Sequence, residues 1–140
     1  MSDPSLPPAE GDSNLLPALP PWRELLRAAR REVEQTLASL PAALQSDART
    51  LPVIFEKVPE PRHGADLDPD ILGLYVGPSR DDLFTGAAPS PHIILFLHNL
   101  WDMTDGDPTA FAEEVRITYM HELGHYLGLD EDELEDRGLD

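Results

Sequence analysis

His121-Glu122-Leu123-Gly124-His125-Tyr126-Leu127-Gly128-Leu129-Asp130-Glu131 is the stretch on which the reading of this 140-residue chain turns. If it is helical, His121 and His125 fall one turn apart on one face, where two imidazoles can reach a single metal ion. Glu122 then points to the flank of that face, placed to act on a metal-bound water without ligating the metal. Gly124 keeps the surface beside the histidines bare, and Gly128 lets the helix stop and the chain turn back. With five His and twelve Glu in the chain, chance supplies a His-Glu-x-x-His pattern roughly 0.02 times, before any requirement for a helix.

Upstream, the residues predict the helix that the motif needs. Asp107 is suited to the N-cap and Pro108 to the first helical position. From there Phe111, Val115, Ile117, Tyr119, Met120, Leu123, Tyr126 and Leu127 occupy most of the girth. A helix apolar almost all round is a buried one. Histidines on such a helix are poorly explained as solvated surface residues.

The rest of the chain reads as the support for that helix. Leu25, Leu26, Ala29, Val33, Leu37 and Leu40 recur at helical spacing after Trp22, with Arg and Glu opposite. Pro21 fits the start of this helix, and Pro41 marks its end or a kink. Three apolar runs predict strands: Val53–Val58, Leu72–Val76 and His92–His98, the last apolar enough to be buried on both faces. The segments 59–70 and 77–91, rich in Pro, Gly and Asp, read as surface connections. Residues 1–21 carry six prolines among Ser and acids and read as a disordered or loosely docked tail. Residues 22–140 are then one domain.

Composition excludes several classes. Twenty-seven acids against ten Lys and Arg give a formal charge of −17, which argues against nucleic acid and against anionic membrane surfaces. With no cysteine, disulfides and thiolate metal sites are excluded, so a metal must be held by His and carboxylate. The opening residues have no basic stretch followed by an apolar one, and no run reaches membrane-spanning length, so a cytoplasmic location is expected.

Such a site points to hydrolysis. His121 and His125 supply two neutral nitrogens to zinc, and Glu122 is the general base. The third ligand stays open. Glu131 follows the turn at Gly128 and is a carboxylate zinc accepts. The run Asp130-Glu131-Asp132-Glu133 also suits the capped start of a short helix, and Asp130 is the neighbouring alternative as ligand. His63, His92 and His98 have no spaced partner and are left outside the site.

The segment VRITYMHELGHYLGLDEDEL, residues 115–134, resembles the minimal zincin-like metallopeptidase family of small bacterial proteins. The resemblance implies an α+β fold: an N-terminal helix packed on a sheet of about three strands, a buried C-terminal active-site helix, and the strand at 92–98 edging the substrate cleft. It implies Zn2+ on His121 and His125, Glu122 as catalytic base and Glu131 as the candidate third ligand. The longer pattern with a third His, known from metzincins, is similar up to Gly128, where Glu131 then stands in place of that His. The expected activity is zinc-dependent hydrolysis of peptide bonds in a peptide or protein substrate. The alternative is a catalytically weak or inactive zincin-like metal-binding module that serves protein interaction, with a protein partner.

Overall fold

A computed structural model describes residues 18–77 and 90–128 of the chain. Helix α1 spans Trp22–Ser39, with Pro21 as its N-cap. It buries Leu25, Ala29, Val33, Thr36 and Leu37, the stripe its spacing predicted. Leu40 precedes Pro41 and takes an extended conformation (φ −70°, ψ 149°), as clash with the proline ring requires. Pro41 then starts a second helix, α2 (Ala42–Arg49), which buries Leu44 and Ala48. The Gln45 amide ties the two together by donating to the Leu37 carbonyl at 2.8 Å. Pro41 is therefore both stop and start, and α2 was not anticipated.

The sheet has three strands: β1 (Val53–Glu56), β2 (Gly73–Val76) and β3 (His92–Phe96). Their order is β1-β3-β2, with β1 parallel and β2 antiparallel to β3. Pairing on both sides explains why Ile93, Ile94, Leu95 and Phe96 are all buried. It also corrects one expectation. β3 is the central strand, so among the described residues the unpaired edges belong to β1 and β2.

A second correction concerns the end of β3. The strand stops at Phe96, and Leu97 opens a short helix, α3 (Leu97–Met103), that buries Leu97, Leu100 and Trp101. His98 is thus a helical residue and not the end of a strand. A buried strand running straight into a buried helix leaves no change of polarity at the junction.

Helix α4 covers Pro108–Leu127. The Asp107 side chain accepts a hydrogen bond from the Thr109 backbone N–H at 3.1 Å, and Pro108 sits at the first position. The helix ends on Gly128 in the left-handed region (φ 74°), a conformation glycine adopts without a Cβ clash. α4 packs against α1, α3, β2 and β3. Phe111, Val115, Tyr119, Leu123 and Leu127 join Ile93 and Leu95 of the sheet and the α1 stripe in one core. The fold is a small α+β one with its C-terminal helix at the centre. Residues 1–17 of the expected tail lie outside the described residues, and 18–21 carry no helix or strand.

On the other face of the sheet, a single turn of 3₁₀ helix (Pro61–His63) closes over Phe96. The His63 ring is buried there. Its Nδ1 accepts from the Glu60 backbone N–H at 2.9 Å, so this histidine caps a turn. No described helix is long and apolar enough to cross a membrane.

Candidate metal centre

Helix α4 is buried on every side but one. Its exposed positions include Glu113, Ile117, His121 and His125, a row at i, i+4 spacing that forms one narrow stripe. The helix is buried as expected, yet its histidines lie on the face left open. That arrangement suits a metal that must be reached by solvent and substrate. The two imidazole rings stand 5.0 Å apart, centroid to centroid, and are tilted by 60°.

Glu122 turns the other way, into the molecule, and is only 8% exposed. Its Oε1 approaches Nδ1 of His125 at 3.5 Å. With Nδ1 turned to this carboxylate, Nε2 is the nitrogen His125 offers to a metal ion. A buried carboxylate is costly unless something holds it, and here it sits within one helical turn of the imidazole it can orient. The donors fit zinc chemically: two imidazole nitrogens on an open face, with a carboxylate beside them and no thiolate.

The described residues bring these three groups together. No cluster of three or more His, Cys, Asp or Glu suited to holding a metal is found among them. Glu131 and Asp130, the candidates for the third ligand, lie outside the described residues.

The other histidines are placed apart from the pair. His92 Nδ1 is 2.9 Å from the Ser90 carbonyl. His98 stands edge-on to Trp22, ring centroids 5.9 Å apart. Burial lowers the His98 pKa below its ordinary 6.5, nearby Lys57 lowers it further, and Asp102 opposes them. The sign follows directly: the fold favours neutral His98, so the stability it contributes is present above pH 6.5 and is lost as pH falls through the depressed value. NMR titration is expected to give His98 a midpoint below 6.5. His98→Asn is expected to remove that part of the acid destabilisation, and an unshifted midpoint would contradict the assignment.

Sequence reasoning passed over one pair of residues. Tyr126, adjacent to His125, faces Tyr75 of β2 with ring centroids 6.1 Å apart. Burial and then Tyr126 raise the Tyr75 pKa, so its hydroxyl stays protonated. The contact fixes β2 beside the histidine turn. Nothing in the spacing of a four-residue strand signals it.

The family model for zincin-like metallopeptidases matches residues 48–139, well over half of the chain. The chain belongs to that family. Compared with curated proteins, it has no match. The zincin-like region takes in all three strands, α3 and the histidine helix, whereas α1 lies ahead of it. Zinc binding is typical of the family, which accords with the chemistry of the donor set on α4.

Proposed function

We propose that this zincin-like protein is a zinc-dependent metallopeptidase that hydrolyses peptide bonds. The observation that carries the proposal is the buried Glu122 carboxylate, 3.5 Å from His125, on a helix whose open stripe presents His121 and His125. A carboxylate in that place can orient His125 and, beside a metal-bound water, can also act as a base.

His121 and His125 would hold the ion, with Glu131 as the third ligand and Asp130 as its alternative. Bound zinc would supply Lewis acidity toward water and toward the scissile carbonyl. Glu122 takes a proton from the attacking water at its carboxylate and delivers it to the leaving amine. Strand β2, which is the outer strand of the sheet among the described residues and lies beside the histidine turn through Tyr75 and Tyr126, supports an extended peptide as the substrate. A strongly negative chain does not suit nucleic acid.

The second reading is a zincin-like metal-binding module that serves a protein partner.

Elemental analysis of purified wild type and His125→Ala, followed by a peptide screen with and without chelator, tests the proposal. About one zinc per chain is expected in the wild type and none in the variant. Cleavage should stop with chelator. Absence of zinc in both, even after metal is added, would refute the metallopeptidase. A normal zinc content with a sharply zinc-dependent melting temperature and no cleavage of any peptide would establish the module instead.

A further inference from the structure

Helix α1 carries a positive stripe in a negative protein. Arg23, Arg27, Arg30 and Arg31 are four of the ten basic residues that stand against 27 acids, and all four are exposed. At about 3.6 residues per turn they fall within an arc of about 100°. That arc lies away from the buried Leu25, Ala29 and Val33. From Arg23 to Arg31 the stripe runs about 12 Å along the helix axis.

Elsewhere the fold pairs its arginines. Arg49 of α2 meets Glu34 at 2.9 Å, and Arg62 meets Glu56 and Glu60, each at 2.9 Å. Among the described residues, no hydrogen bond or ion pair engages Arg23, Arg27, Arg30 or Arg31. Glu34, which continues the stripe one turn on, is already held by Arg49. Glu24 stands on the flank without an ion pair to the stripe, and Glu32 lies round the back of the helix.

Helix stability does not account for this arrangement. Arg23 with Arg27, Arg27 with Arg30 and Arg27 with Arg31 are like-charge neighbours at i, i+3 or i, i+4 spacing, each of them unfavourable. The helix dipole favours cations at the C-terminal end. Yet α1 has no basic residue in its last turn and places Arg23 in its first. The family match begins at residue 48, after α1, so it does not account for the stripe either.

The stripe selects an anionic partner, and the charge of the whole chain decides which kind. Guanidinium forks pair with carboxylates through two parallel hydrogen bonds. Arg23, Arg27 and Arg31 recur every four residues, about 6 Å of rise, close to the ~7 Å between alternate side chains of an extended peptide. A nucleic acid or an anionic membrane meets the −17 chain over a wide area and is repelled. A short acidic segment touches the stripe alone, and charges beyond about 8 Å are largely screened at physiological salt.

We propose that the arginine stripe of α1 is a docking surface for an acidic segment of a partner protein, with carboxylates on alternate residues of an extended chain. The docking does not rest on the metallopeptidase reading. The test is an NMR titration of the full chain with acetyl-(Glu-Gly)4-amide and, separately, with acetyl-(Gln-Gly)4-amide at the same ionic strength. The arginine Nε–H resonances are the reporters. The glutamate peptide is expected to shift Arg23, Arg27, Arg30 and Arg31 and to spare Arg62, which two carboxylates already hold. The glutamine peptide is expected to shift none. Arg23→Gln/Arg27→Gln/Arg30→Gln/Arg31→Gln is expected to weaken the glutamate complex about tenfold or more. Equal shifts from the two peptides, equal shifts at Arg62, or unchanged affinity in the fourfold variant would overturn the proposal.

Two further measurements keep the outcome readable. The denaturant midpoint of the fourfold variant is expected at or above that of wild type, because like-charge contacts are removed. A lower midpoint would mean that the arginines serve to hold α1 in place, and it would overturn the docking role. A duplex oligonucleotide or a phosphatidylserine vesicle, titrated in the same way, is expected to act only at higher concentration than the glutamate peptide. If either shifts the four arginines at lower concentration, the partner is a phosphate-bearing surface and the acidic protein segment is excluded.

Discussion

Glu122→Gln is expected to cut peptide hydrolysis about a thousandfold while leaving the fold and the zinc content in place. The magnitude is that of a lost general base, typically 10²–10⁴ in rate. Glutamine has the same shape and can keep a contact with His125 Nδ1, now 3.5 Å from Oε1, but it cannot carry a proton from water to the leaving amine. The comparison that matters is kcat against zinc stoichiometry in the same preparation. Loss of both would mean that Glu122 holds the histidine for the metal and nothing more. Undiminished hydrolysis with normal zinc would sink the assigned mechanism.

Stability gives an independent reading of the same substitution. Glu122 is only 8% exposed, and a neutral amide is cheaper to bury than a carboxylate. The metal-free Glu122→Gln protein is therefore expected to be at least as stable as wild type by chemical denaturation. A residue whose replacement costs activity and not stability is retained for chemistry. A residue that served only to hold the helix in place would show the reverse.

The path from sequence to this site was open where local chemistry decides. Asp107-Pro108 and Gly128 fix the ends of α4 through an N-cap, a ring-fixed φ and a left-handed glycine, so the histidine helix could be read residue by residue. The α1 stripe was legible for the same reason, since its periodicity is its packing. Elsewhere the information was not local. Pro41 ends one helix and starts another, and the short α2 shows only Leu44 and Ala48 as buried residues. The change from β3 to α3 at Leu97 falls inside one unbroken apolar run. Strand order, which puts β3 between β1 and β2, depends on contacts far apart in the chain, and no spacing reveals it. His63 shows the limit from the other side. A histidine in a Pro-rich connection reads as a surface residue until the sheet beneath it exists to bury it.

Gly73 is where the sheet and the histidine helix come closest, and Gly73→Ala is expected to destabilise the protein by about 2 kcal/mol, the cost of overpacking a fitted contact. The sign is the informative part. Glycine-to-alanine changes at ordinary backbone angles usually stabilise by about 0.4–1 kcal/mol, because they restrict the unfolded chain, and Gly73 is not among the positive-φ glycines. Here a Cβ would stand 2.6 Å from the Thr118 methyl, 3.2 Å from Leu95 Cδ2 and 3.3 Å from the Ile94 carbonyl oxygen. The nearest of these clashes can be relieved. Thr118→Ser keeps the hydroxyl and removes the methyl, so Gly73→Ala/Thr118→Ser is expected to recover more than half of the loss. The two substitutions should then couple by at least about 1 kcal/mol in a double-mutant cycle. Denaturant midpoints of the four proteins measure this. If Gly73→Ala matches or exceeds wild-type stability, α4 is not seated on β2 as described. In that case the spacing of the histidine stripe from the β2 edge, on which the placement of the peptide depends, would have to be drawn again.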